Sequence, residues 1–244
     1  MRKESFRRDF TAKSAKKYSL RKLCALCFSA VKKYSPHHSS NIKSPTFASF
    51  NMSAAQKIII IAAPSGAGKT SVVRHLLKVM PEQLAFSISC ATRSPRNNEK
   101  HGVDYYFISV DEFKDRINRS EFLEWEMVYA GKYYGTLKSK MNRIWDTGRS
   151  PLLDVDVKGG LNVQSLYPKE SLSLFIEPPS LEELDRRLQA RGTETEESRK
   201  SRLSKAAYEM TFKHKFDHII INDKLDRACA VAERLVREFL SLTH

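Results

Sequence analysis

The sequence predicts an α/β protein built in three layers, with helices on both faces of a central parallel sheet, a small α+β segment inserted into that sheet's order and a helical lid. Three observations carry the prediction. The run Ile58-Ile-Ile-Ile61 is β-branched throughout, as a strand buried on both faces must be. Further short apolar runs alternate with helical periodicity and end in acids or Asn: Pro151-Leu-Leu-Asp-Val-Asp156, Ser171-Leu-Ser-Leu-Phe-Ile176 and His218-Ile-Ile-Ile-Asn222. Between the first strand and the first helix lies Ala63-Pro-Ser-Gly-Ala-Gly-Lys-Thr70, a Gly-rich turn closing on Lys-Thr.

That turn reads as a phosphate-binding loop. A strand feeding a Gly-rich bend that opens a helix directs backbone N–H groups, and the positive end of the helix dipole, into one hollow suited to a polyphosphate. The usual spacing is G-x-x-x-x-G-K-[ST], and Ala63 stands at its first position. Gly66 and Gly68 remain where backbone and phosphate approach most closely. Lys69 is expected to reach the β- and γ-phosphate oxygens, and the Thr70 hydroxyl to ligate Mg2+. The following helix buries Val72, Val73, Leu76, Leu77 and Met80 before Pro81 stops it.

Taken in order from the beginning, the 244 residues suit one α/β domain with inserted segments, and 41% hydrophobic residues supply a core. The formal charge of +14 suggests nucleic-acid binding until it is located. Residues 1–51 hold twelve Lys/Arg against Glu4 and Asp9, a surplus of ten that leaves only four for the remainder. The body carries no dedicated nucleic-acid surface on this count. The tail is Lys-, Arg- and Ser-rich with Pro36 and Pro45, and is expected to be disordered. Leu23–Val31 is too short to span a bilayer, and Lys32-Lys33 follow it without a secretory cleavage site. An organelle transit peptide fits the composition. The preferred reading is that Met52 is the true start, since Met52-Ser-Ala-Ala leads directly into the first strand; the protein is then cytoplasmic. Cys24 and Cys27 lack the second pair zinc needs, and four scattered cysteines imply a reducing compartment.

After the first helix, Phe86-Ser-Ile-Ser89 reads as a short strand entering Cys90-Ala-Thr-Arg-Ser-Pro-Arg96, where Arg93 and Arg96 suit a phosphate grip or a solvated surface. Asp104–Phe107 has strand character, and Ser109-Val-Asp-Glu112 is a capping box. In Lys132-Tyr-Tyr-Gly-Thr136, Gly135 is expected to mark a turn and Thr136 to cap a helix from Lys138 to Asp146. Pro151–Asp156 ends in acids, as a second sheet strand needs if it delivers a carboxylate beside the phosphate loop to hold Mg2+. Gly159-Gly160 opens a helix, and Ser180-Leu-Glu-Glu183 is a second capping box. Arg187, Arg191 and Arg202 around Gly192 fit either a solvated helix face or a lid. An amphipathic helix, Leu225 to Leu242, closes the chain.

Seven segments together resemble guanylate kinases: the phosphate loop, Cys90–Arg96, Gly102-Val-Asp-Tyr-Tyr-Phe107, Phe122-Leu-Glu-Trp125, Tyr133-Tyr-Gly-Thr136, Leu153-Asp-Val-Asp156 and Arg191-Gly-Thr-Glu-Thr-Glu-Glu197. They run in the family's order from about Lys57 to the C-terminus. The departures are Ala63, where the family usually has Gly, and about one extra residue between Trp125 and Tyr133. The resemblance implies a P-loop NTPase fold with core 56–86, 138–186 and 206–244, a GMP-binding insert 87–137 and a lid 187–205, within a domain of residues 52–244. It implies Mg2+-dependent transfer of the γ-phosphoryl group of ATP to GMP, and to dGMP. ATP would meet Ala63, Pro64, Ser65, Gly66, Ala67, Gly68, Lys69, Thr70, Ser71 and Asn222, with Mg2+ on Thr70 and Asp154. GMP would meet Ser89, Arg93, Arg96, Tyr105, Glu124, Tyr134, Thr136 and Asp156. Lys69, Arg187, Arg191 and Arg202 would be catalytic. Guanine offers N1–H and N2–H donors where adenine offers a lone pair at N1, so a buried Glu124 carboxylate discriminates between them. Two other classes stay open: a guanylate-kinase-like interaction module, disfavoured by the presence of Lys69, Thr70 and Asp154, and a kinase of another phosphorylated acceptor, which would not need Glu124, Tyr134 and Asp156 together.

Overall fold

The computed structural model describes residues 56–96, 99–190 and 196–242. The tail with Cys24 and Cys27, and lid residues 191–195 with Arg191, lie outside the described residues. Strand β1 (Ile58–Ala62) is buried at every position, and its alternation supplies both cores. Ile59 and Ile61 face one side, where helix α1 (Lys69–Val79) and the last helix, α7 (Leu225–Ser241), cover them with Val72, Leu76, Ala232 and Val236. Ile58 and Ile60 face the other side, against Met141 of α3 (Lys138–Trp145) and Val163 of α4 (Val157–Leu166). One strand thus anchors both helical layers.

Five strands form the core sheet. β2 (Leu84–Phe86), β7 (Ser150–Val155), β1, β8 (Ser171–Glu177) and β9 (His218–Ile221) lie side by side in that order, all parallel. Ile61 pairs in register with Asp154, so the phosphate loop and the acid end of β7 leave the sheet at the same edge. The expected strand at Phe86–Ser89 is split: pairing with β7 stops at Phe86, and the chain crosses to a second sheet at β3 (Cys90–Ala91).

The second sheet has the order β4 (Tyr106–Phe107), β3, β6 (Lys132–Leu137), β5 (Phe122–Tyr129), with α2 (Val110–Asn118) packed on it through Phe113. Here two expectations are corrected. Gly135 makes no turn, and Thr136 caps no helix; both lie within β6, and α3 begins without a side-chain cap. The glycine is needed for close approach, because a Cβ there would stand 2.9 Å from the Glu124 carbonyl and from the Trp125 Cβ. Each capping box is half made. Ser109 and Ser180 accept from the N–H of Glu112 and Glu183, while those carboxylates turn to Arg116 and to Arg186 and Arg187. Helices α5 (Leu181–Ala190) and α6 (Glu196–Met210) pack on each other through Leu184, Leu188 and Ala206.

Candidate functional site

Helix α1 opens on Gly68, whose φ of 99° is left-handed. A side chain there meets a second obstacle, since a Cβ would stand 2.1 Å from Asn222 Nδ2. Asn222, at the end of β9, donates from that amide to the Ala67 carbonyl at 2.7 Å, and its own carbonyl accepts from Arg187 Nη2 at 3.0 Å. Asn222 thus braces the phosphate loop and Arg187 holds Asn222; neither is among the residues lining the cleft the loop faces. Ala63, Pro64, Ser65, Gly66, Gly68, Lys69, Thr70 and Ser71 do line that cleft, and Ala67 is buried beneath it.

Lys69 lies along the sheet edge. Its ammonium donates to the Val155 carbonyl at 2.7 Å and pairs with the Asp154 carboxylate. Burial by itself would lower the lysine's pKa; the Asp154 charge and hydrogen bond outweigh it, and the net shift is upward. Thr70 is exposed at the same rim. A hydroxyl and one carboxylate are hard oxygen donors, and among the described residues no cluster of three acidic, His or Cys side chains forms a closed metal cage. That donor set fits Mg2+, which keeps several waters and takes substrate phosphate oxygens beside one or two protein ligands.

Across the cleft, the second sheet and its loops supply a cationic end. Arg93 Nε donates to the Tyr134 hydroxyl at 3.0 Å, and its guanidinium stands 5.1 Å from the Tyr105 ring. Its terminal nitrogens hold Glu99 in a two-bond fork of 2.5 and 2.7 Å, and Nη1 also reaches the Ser94 carbonyl. Four of the five N–H groups are thus engaged. Arg93 holds the Glu99 carboxyl below its ordinary value of 4.5. Arg96 donates its backbone N–H to the same carboxylate, and its exposed side chain lines the cleft. Glu99 is not among the residues the sequence nominates.

The other end is acidic. Glu124, on β5, is 7% exposed and accepts the Thr136 hydroxyl at 2.7 Å, with Ser89 Oγ a further 3.4 Å from that hydroxyl. Burial pushes the Glu124 carboxyl up to about 7; the Thr136 hydrogen bond works against the shift and the Asp156 charge adds to it. Asp156 caps α4, accepting the Gly159 N–H at 2.8 Å, and presents its carboxylate to the cleft. Helix α6 covers this end. Arg202 Nη1 donates to Ser65 Oγ at 2.8 Å, and one turn further Lys205 and Glu209 face the cleft. Neither Lys205 nor Glu209 was expected. Spaced i,i+4 on a charged helix, they look like an ordinary exposed ion pair.

Of the residues the sequence nominates, then, the cleft gathers the phosphate loop, Asp154, Ser89, Arg93, Arg96, Tyr105, Glu124, Tyr134, Asp156 and Arg202, with Thr136 directly behind Glu124. A strand–loop–helix phosphate site faces an inserted sheet that carries an arginine–tyrosine grip and a buried carboxylate: this defines a P-loop NTPase of the phosphotransferase kind, built to bring two phosphate-bearing ligands together. Comparison with known proteins narrows the class. The sequence model described as guanylate kinase matches residues 55–239. A guanylate kinase of Bacteroides fragilis is 50% identical over 186 residues, covering 76% of this chain and 91% of that one. One from Salinibacter ruber is 44% identical, covering 76% and 98%. The crystal structure of guanylate kinase from Anaplasma phagocytophilum matches with a TM-score of 0.63 at 27% identity, covering 78% of this chain and 89% of that one. The chain belongs to the guanylate kinase family.

Proposed function

We propose that this chain transfers the γ-phosphoryl group of ATP to GMP, giving ADP and GDP, with Mg2+ on Thr70 and Asp154 and with dGMP as a further acceptor. The reading is carried by one juxtaposition: the phosphate loop with Lys69, the Arg93–Tyr134 grip and the buried Glu124 line a single cleft. Lys69 exchanges its Asp154 partner for donor phosphate oxygens, which frees the Asp154 carboxylate; Thr70 and Asp154 would hold Mg2+, which when bound would supply charge neutralisation for the phosphates. Arg93, Arg96, Tyr105 and Tyr134 hold the GMP phosphate as the attacking group. Arg93 swings at least part of its fork from Glu99 to that phosphate.

Glu124 reads the base. Its ionised carboxylate accepts guanine N1–H and N2–H, with Ser89, Thr136 and Asp156 completing the hydrogen bonds, whereas adenine would present a lone pair to it. Phosphoryl transfer asks the protein chiefly for placement and charge neutralisation. Arg202, already on the loop through Ser65, is poised over the donor phosphates; Arg187 leaves the Asn222 carbonyl to act with it and with Arg191 as the lid closes and excludes water. Purine nucleotide metabolism in the cytoplasm is the setting this activity serves; no helix among the described residues is long and apolar enough to cross a membrane.

The test is ADP release by the full chain with ATP and Mg2+, offering GMP, dGMP, AMP, UMP and CMP separately. Turnover is expected with GMP and dGMP only, abolished by Lys69→Ala and by chelation of the metal. Equal turnover with AMP, or none with any acceptor from folded protein, would overturn the reading.

A further inference from the structure

Lys205 has no role in the reaction as described so far, yet its side chain lines the acceptor end of the cleft. Its ammonium lies 3.3 Å from Glu209 Oε1, 4.0 Å from Asp156 Oδ2 and 3.3 Å from the Val128 carbonyl, and 4.9 Å from the Tyr129 ring centre. These partners belong to three elements: α6 itself, the start of α4, and the outer end of β5. The side chain is about one quarter exposed, so little solvent intervenes. We propose that Lys205 is a positioning residue for GMP: one ammonium ties α6 to the base-reading carboxylate Asp156 and to the rim of the GMP-binding sheet, and its charge lets several carboxylates share that end of the cleft. The inference rests on the proposed function.

The electrostatic need is visible in the inventory of the cleft. Thr136 on β6 bonds Glu124, and the same cleft is lined by Glu126 on its own strand, Ser89 before β3, Asp156 at the start of α4, Asp154 at the end of β7 and Glu209 on α6. Tyr105 and Tyr134 are the phenols on the same walls. The cations are Lys69, taken up by Asp154 and Val155, Arg93 and Arg96 at the phosphate end, and Arg202 on Ser65. Lys205 reaches two of those carboxylates, Asp156 and Glu209. Glu209 is 6% exposed, and Lys205 is the opposite charge that holds it there. The Asp156 charge already raises Glu124, and without the ammonium 4.0 Å from it that charge bears more strongly. Glu124 then holds its proton to higher pH and ceases to accept from guanine. A merely packing role, with the aliphatic stem covering the Tyr129 ring, predicts no such change.

The experiment is steady-state kinetics of the full chain across pH 5.5–9, comparing wild type with Lys205→Met, Lys205→Arg and the double variant Lys205→Met with Glu209→Gln. Thermal unfolding confirms that each is folded. Lys205→Met is expected to move the acid limb of kcat/KM for GMP upward by roughly half to one pH unit, so that kcat/KM at pH 7 falls about two- to fivefold. KM for ATP should stay put. GMP's own phosphate titrates in this range, but a substrate ionisation does not move with a protein substitution. Lys205→Arg should restore the wild-type limb, and removing the Glu209 charge should return the double variant part of the way. A uniform loss at every pH, or an arginine no better than methionine, overturns the inference while leaving GMP kinase activity intact. Absence of GMP turnover in wild type refutes the proposed function itself, and the inference with it. Should Lys205→Met fail to fold, the Lys205→Arg and Glu209→Gln single variants decide: Glu209→Gln alone must shift the limb downward, and an unmoved limb refutes the role.

Discussion

Glu124→Gln is expected to make the unliganded protein more stable and nearly inactive. Burial raises this carboxyl from 4.5 to about 7 in the folded chain. The folded state therefore holds its proton more tightly than the unfolded state does. As pH rises through 4.5 the unfolded chain ionises first, so stability falls between about pH 4.5 and 7 and levels off above. At about 1.4 kcal/mol per pH unit, the buried group costs about 3 kcal/mol at pH 8 and less than about 1 kcal/mol at pH 5. Glutamine has the same shape and keeps an oxygen for the Thr136 hydroxyl, but carries no charge to desolvate. In denaturant unfolding, the variant should gain up to about 3 kcal/mol over wild type at pH 8, and about 2 kcal/mol less than that at pH 5. In the kinase assay its NH2 group faces guanine's donors, and kcat/KM for GMP should fall by two or more orders of magnitude. Equal stability differences at the two pH values would refute the account of Glu124 as a desolvated carboxyl. A gain of the predicted size without loss of GMP turnover would refute its role in reading the base.

Two further substitutions separate bracing from chemistry. Asn222→Ala removes the amide that holds the Ala67 carbonyl, leaving a buried acceptor unpaired at a cost of about 1–3 kcal/mol; a raised KM for ATP with KM for GMP unchanged is the expected signature, and unchanged ATP kinetics would contradict it. Lys57 lies at the opposite end of the sheet, where its ammonium caps the carbonyls of Phe239, Leu240 and Leu242 at the end of α7. Lys57→Met should lower stability by about 1–3 kcal/mol while leaving kcat and both KM values as they are, since charge-assisted bonds to a helix end are lost far from the cleft.

How much of this was legible in the sequence depended on how local the signal was. β1, the loop and α1 follow from contiguous residues, and the structure places them as read. The same holds for Asp154, because an acid at the end of a parallel strand leaves the sheet beside the loop of its neighbour. Gly135 was misread because a glycine between tyrosines and a threonine looks like a turn, whereas its use is to admit the backbone of β5. Asn222 is nominated for ATP by the resemblance alone; the fold adds what the sequence does not display, that its amide reaches the Ala67 carbonyl. Lys205, Glu209 and Glu99 were invisible for one shared reason. Each is an ordinary charged residue whose partner is set by a contact between elements distant in sequence, or across a loop whose path the sequence does not display.

The central claim is that two nucleotides meet in one cleft and exchange a phosphoryl group. It is tested most directly by following the phosphorus itself, with 31P NMR of the full chain in ATP, Mg2+ and GMP. The account predicts that the γ-signal of ATP is replaced by the β-signals of ADP and GDP in equal amounts, with no free phosphate, and that Lys69→Ala shows neither. Inorganic phosphate in place of GDP, or an unchanged spectrum from folded wild-type protein, would contradict it.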